Sequence, residues 1–251
     1  MLMGFEWGFW LLAAVAVLLT GISKSGFAGG VGVVAVPLMA LYIDPRQAAA
    51  IMLPLLLVMD YFSMRIWWGQ QNRFQFKRLI GPAAIGILIG YLIYDWLDAG
   101  VIRLLLGLLS IAFAAWGFAS GVKLGVARTG NAWLARICGC VTGFTSFMAH
   151  AGGPPLNLYL LPLRLPRPEY LATVVMTIAC INVIKLVPYA LLGQLNLDNI
   201  AISLLLMPLA WIGVRYGVRL QAVISDVWFY RLIYSALGLI GLKLLFDSFM
   251  G

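Results

Sequence analysis

Charge is scarce in this chain. Only 10% of its 251 residues are Asp, Glu, Lys or Arg, 63% are hydrophobic, and mean hydropathy is +0.98. A soluble domain carries about 25% charged and roughly 45–50% apolar residues, and a folded chain of this size still exposes too much of itself to hide that apolar excess from water. A soluble enzyme, a nucleic-acid-binding domain and a disordered chain are thereby excluded. Histidine occurs once, as His150, and cysteine three times, as Cys138, Cys140 and Cys180. An odd set of thiols inside apolar runs gives neither a disulfide framework nor a metal site, and these read as small buried hydrophobes. No cofactor is expected. The chain lacks a nucleotide-binding loop, and it lacks the GxSG, HExxH and GxGD signatures of hydrolases. The N-terminal MLMGFEWGFW has no basic start and no small-residue cleavage site, so it reads as a retained first segment.

What the chain does have is apolar length. Ten stretches stand out: two short ones at 7–20 and 30–43, three long ones at 47–68, 79–97 and 101–122, then two short ones at 137–149 and 155–163 and three long ones at 170–192, 200–218 and 227–246. A full crossing takes about 20 residues at 1.5 Å each, so the long stretches qualify and the short ones fall below. The order recurs, which suggests a duplication. At an offset of 124, Ala48, Met52, Gly69 and Gln70 fall on Ala172, Met176, Gly193 and Gln194; Gly86-x-x-x-Gly90 falls on Gly213-x-x-x-Gly217 slightly further on. The expected fold is an all-α polytopic membrane protein of two inverted repeats. Each repeat has a short broken or re-entrant helix pair followed by three long transmembrane helices. The repeats cover 1–122 and 132–251, joined by a cytoplasmic linker at 123–131.

Basic residues set the orientation. If alternate loops are cytoplasmic, that side collects Arg73, Lys77, Arg78, Lys123, Arg128, Arg136, Arg164, Arg167, Arg215 and Arg219, and the other side only Arg46 and Arg103. This bias puts both termini in the periplasm. Each half then makes an odd number of crossings, so the halves are inverted.

The candidate chemistry lies in two Gly-rich tips and three deep polar residues. The first tip, SKSGFAGGVG, holds Ser23, Lys24, Ser25, Gly29 and Gly30. Glycines permit unwinding, free N–H groups with the start of the next helix favour an anion, and Lys24 adds a full positive charge. The alternative for Lys24 is a snorkelling side chain beside small packing residues. The second tip, SFMAHAGGPP, holds His150, Gly152 and Gly153, with Asn157 beyond it. A lone histidine can equally be a satisfied core residue. Asp60, Asn182 and Lys185 interrupt long apolar runs. A charge there costs at least about 2.5–3.5 kcal/mol and pairs or lines a wet path, so Asp60 and Lys185 are candidates to pair with each other or to carry a proton. The GxxxG pairs read as close helix packing.

At the two tips the sequence resembles the TauE/SafE family, also described as the sulfite exporter family. The resemblance rests on GFAGGVGVVAVPLMALYIDPRQAAAIMLP at 26–54 and HAGGPPLNLYLLPLRLPRPEYLATVVM at 150–176, each a Gly-rich stretch ahead of a proline and an alanine-rich helix, and on the later G-x-x-x-G helices. The resemblance implies transport of sulfite, a sulfonate or a related organosulfur anion across a bacterial inner membrane. The residues themselves ask for a small anion at the midplane, with protons as a candidate coupling ion and the lipid bilayer as surroundings. A channel or complex subunit without autonomous transport is the alternative, and an intramembrane enzyme is the remote one. Substrate, direction and oligomeric state are left open.

Overall fold

The computed structural model describes residues 6–26, 32–119, 130–220 and 226–250. These residues are almost wholly helical, with no strand among them. In lipid, a helix satisfies its own backbone N–H and C=O groups within one segment. The order is α1 (Trp7–Gly26), α2 (Ala35–Met39), α3 (Pro45–Trp67), α4 (Arg73–Leu92), α5 (Ala99–Ala119), α6 (Ala132–Ala149), α7 (Gly153–Leu160), α8 (Arg167–Leu191), α9 (Leu197–Leu220) and α10 (Asp226–Met250).

Ordinary capping chemistry sets the ends. Asp44 caps α3 by accepting from Arg46 N at 2.8 Å, with Pro45 in the first turn. Asn131 caps α6 by accepting from Trp133 N at 2.8 Å. The turn after the third helix is built twice. Gly69 and Gly193 both have positive φ, 82° and 67°, where a side chain would be strained. Three residues later Asn72 Oδ1 and Asn196 Oδ1 each accept from the N–H three positions on, at 2.9 Å in both cases.

The expected short pairs turn out differently from the sequence reading. α1 and α6 are unbroken helices of 20 and 18 residues, about 30 and 27 Å long, so the first member of each pair is of crossing length. Only α2 and α7, with five and eight residues, are short. The small residues that suggest a break at 21–26 instead let α1 approach α9: an added Cβ on Gly21 would lie 3.0 Å from the Gly213 backbone. Among the described residues, six helices are long and apolar enough to cross a membrane, namely α1, α3, α5, α6, α8 and α9. Leu92, Val187, Leu191, Leu205 and Leu239 are exposed on helix flanks, as suits a lipid solvent.

Helix partners are exchanged between the halves. α1 lies along α9, α6 along α4, and α5 along α10, while α3 touches both α8 and α9. Gly139 of α6 abuts Leu79 of α4, Gly143 abuts Ala83, and Gly90 abuts Phe147, so α4 and α6 run parallel. In contrast, Gly107 meets Leu245 and Gly117 meets Tyr234, which makes α5 and α10 antiparallel. α3 and α8 are antiparallel too. Asp60 of α3 meets Asn182, while Asn72, just past α3, meets Glu169 at the start of α8. At the opposite end Arg46 clamps the α4–α5 turn: it donates to the carbonyls of Tyr94 (2.9 Å) and Leu97, and its guanidinium lies 4.5 Å over the Tyr94 ring.

Candidate anion-binding site

Four buried charged or titratable side chains, Lys24, Asp60, His150 and Lys185, gather where α1, α3, α6 and α8 converge. Lys24 ends α1, where a cation complements the negative end of the helix dipole. Its ammonium pairs with Asp60 Oδ1 and also reaches the Leu56 carbonyl at 3.5 Å. The other carboxylate oxygen, Oδ2, accepts from Asn182 Nδ2 at 2.5 Å. Both oxygens of Asp60 are therefore held, one by a charge and one by an amide.

Lys185 turns to different partners. It donates to the Ser146 carbonyl at 2.9 Å, to Ser146 Oγ at 3.0 Å and to His150 Nδ1 at 2.6 Å. These three acceptors use all three of its N–H groups. Nε2 faces a carbonyl, which can only accept, so it carries the hydrogen and a neutral ring offers the Nδ1 lone pair to Lys185. His150 then carries its hydrogen on Nε2, which donates to the Ala49 carbonyl at 2.8 Å. The network thus assigns a neutral Nε2–H tautomer. Tyr189 stacks on the imidazole, with ring centres 6.1 Å apart, and donates its hydroxyl to the Phe147 carbonyl at 2.7 Å.

Local sequence explains how the groups are presented. Pro54 removes one rung from the α3 ladder, and two carbonyls near that gap accept from outside the helix: Ala49 from His150, and Ile51 from Ser203 Oγ at 2.7 Å. His150 stands just past α6 in the left-handed region, φ 53° and ψ 27°, an uncommon place for a non-glycine residue. That conformation ends the helix and turns the chain toward α7.

Several sequence expectations meet here and several do not. Lys24, Asp60, Asn182, Lys185 and His150 come together. Lys24 lies within a regular helix, not in an unwound tip, and Asp60 takes Lys24 as its ion partner, with Lys185 bound elsewhere. The physical reason is reach: α1 packs on α3 and brings a flexible lysine to the carboxylate. Ser23 is buried on α1. Ser25 falls in the same helix, but its side chain, like Gly29 and Gly30 entirely, lies outside the described residues. Gly152 packs against Thr142 and Ser146, and Gly153 opens α7, whose next two residues are Pro154 and Pro155. Prolines have no N–H, so this helix start offers few amides to an anion. Asn157 is engaged apart from the cluster, accepting from Tyr170 OH at 2.8 Å. Ser146 and Tyr189 are functional candidates that sequence reasoning passes over. Tyr189 was findable, four residues past Lys185 and so on the same helix face.

The cluster holds two lysines and one carboxylate. Among the described residues, no carboxylate lies within ion-pair distance of Lys185. Nor do they contain a cluster of His, Cys, Asp or Glu able to hold a metal ion.

The family model described as Sulfite exporter TauE/SafE matches residues 12–244. Comparison with curated proteins and with solved structures finds no match.

Proposed function

The chain belongs to the sulfite exporter TauE/SafE family, and from that premise we propose that it is a secondary transporter for a small anion, either sulfite, a sulfonate or a related organosulfur anion, in the bacterial inner membrane. The observation that carries this reading is Lys185, a basic side chain buried among neutral acceptors with no carboxylate within ion-pair distance among the described residues. A buried charge without a counter-ion is costly, and a transported anion would supply the missing one. Two inverted halves, 1–122 and 132–251 joined by 123–131, would expose this site alternately to either side. The antiparallel run of α3 against α8 and of α5 against α10 supports that arrangement. Purified protein reconstituted into sealed vesicles should give saturable, ATP-independent flux of sulfite or a simple sulfonate, and Lys185→Met should lose most of it. Anion binding without flux by the isolated chain would instead favour a subunit of a larger complex.

The same reading places the basic loops in the cytoplasm and both termini in the periplasm. Single cysteines at Gln71 and Asn131, in a background without the native thiols, should resist an impermeant thiol reagent in intact cells and react after lysis. Asn131 caps α6, so its replacement costs about 1 kcal/mol, which leaves the labelling readable. Reaction from outside at either position would reverse the orientation.

A further inference from the structure

We infer that the transported anion is held by the hydroxyls of Thr142 and Ser146, and reaches that place along α7 from a cavity at Arg164, Arg167 and Tyr170. This rests on the anion-transport reading and gives it a place. Buried hydroxyls on helices commonly donate to the carbonyl four residues back. Thr20, Thr145, Thr173, Thr177 and Ser203 all do so, at 2.6–2.8 Å. Thr142 does not, although it is fully buried. Its hydroxyl, like those of Ser63 and Ser110, has no hydrogen-bond partner among the described residues, and leaving one unpaired is costly. Ser110 lies on α5 against Gly241, away from the cluster. The other two flank the cluster: Thr142 is one turn before Ser146 on α6, and Ser63 about one turn after Asp60 on α3. Both steps, about 5–6 Å, lead toward the same end of the bundle. There α3 ends, α4, α6 and α8 begin, Asn72 meets Glu169, and Arg78 meets Gly130. In the opposite direction α3 buries Met52, Leu53, Leu55 and Leu56, and Ser203 is already bonded to the Ile51 carbonyl.

The short helix α7 joins Thr142 to a mouth. At its start, an added Cβ on Gly152 would lie 3.1 Å from Thr142 Cγ2 and 3.0 Å from Ser146 Cβ. At its end, about 12 Å on, Leu160 lines a cavity of about 360 Å³ together with Leu161, Arg164, Leu165, Arg167 and Tyr170. Between them Asn157 accepts from Tyr170 OH. Arginines at the mouth raise the local concentration of anions, and Glu169, close by in sequence, is turned to Asn72. Arginines outside and hydroxyl donors inside together fit a small oxyanion.

Thr142→Val keeps the shape and removes the hydroxyl. Without anion it should melt about 2–4 °C above wild type, because an unpaired buried hydroxyl is gone. In titration calorimetry it should bind sulfite or methanesulfonate about ten- to a hundredfold more weakly, the worth of a hydrogen bond to a charged group. Thr142→Ser keeps the hydroxyl and should bind within about threefold of wild type. Ser110→Ala, the matched control, should gain stability in the same way and leave affinity unchanged. In sealed vesicles Arg167→Gln should raise the KM for sulfite at low salt with maximal flux unchanged, and the difference should fade at high salt. Wild-type affinity in Thr142→Val, or equal losses in Thr142→Val and Thr142→Ser, overturns the site and leaves the transport reading standing. A wild-type KM in Arg167→Gln at low salt overturns the route, and decides it alone should Thr142→Val not fold. If wild-type protein neither binds nor moves sulfite or methanesulfonate, both readings fall.

Discussion

Lys24→Gln should melt about 6–20 °C below wild type in the absence of any anion, a loss of fold stability as well as of binding. The ammonium of Lys24 and the carboxylate of Asp60 are buried together. Removing one member of a buried ion pair strands the other, at a cost of about 3–5 kcal/mol, and each kcal/mol moves the melting point of a chain this size by roughly 2–4 °C. Asn182 would still hold Oδ2, but an amide does not neutralise a carboxylate. Replacing both charges at once, Lys24→Met with Asp60→Leu, should recover most of the loss, because apolar residues in place of a buried pair are often neutral or stabilising. Thermal unfolding of the three proteins in one detergent measures this. Equal melting of Lys24→Gln and wild type would mean that the lysine is not committed to Asp60 and is free for substrate.

Gly143→Val should separate α4 from α6. A Cβ on Gly143 would fall on the Ala83 carbonyl group and 2.9 Å from its Cα, and backbone cannot swing aside as a side chain does. Gly86 makes the reciprocal approach, onto the Cys140 carbonyl. Overpacking of this kind costs about 1–3 kcal/mol, and more where backbone must shift. In a bilayer there is little hydrophobic gain to offset it, because close packing is what joins the helices. Gly81→Ala, on the same α4, is the matched control: nothing lies within 4 Å of its added Cβ, and the change should stabilise by about 0.4–1 kcal/mol through the unfolded chain. If the two substitutions shift the melting point alike, the α4–α6 contact is not close in the folded protein.

The contrast between α1 and the deep polar residues shows what the amino-acid order could reveal. Scarce charge and long apolar runs were enough for a multi-helix membrane protein, and Gly69 and Gly193, which coincide at an offset of 124, both have positive φ. The unbroken course of α1 was hidden, because Gly21 and Ser23 lower helix propensity and are tolerated only where a neighbouring helix packs on them. Asp60, Asn182 and Lys185 announced themselves, since polar groups in apolar runs need a reason to be there. Which of them pair was not legible. Lys24 and Asp60 are 36 positions apart, on different helices, and the competing match of Asp60 with Lys185 had the same charges and a similar depth. Ser146 stayed hidden because much of its role comes from its main-chain carbonyl, which every residue possesses.

The exchange of helix partners between halves has a consequence for biogenesis. α1 packs on α9, and about 170 residues separate the end of one from the start of the other. At ribosomal rates of roughly 5–20 residues per second, the first helix enters the bilayer about 10–35 s before its main partner exists. Its lysine need not wait that long. Asp60, on α3, follows within seconds, so the ion pair can form early and let a charged nascent helix rest in lipid. The α4–α6 contact closes next, and α9 closes the bundle around an already neutralised segment. A ribosome stalled before α9 would leave the glycine-lined face of α1 open to insertion chaperones or to a second nascent copy.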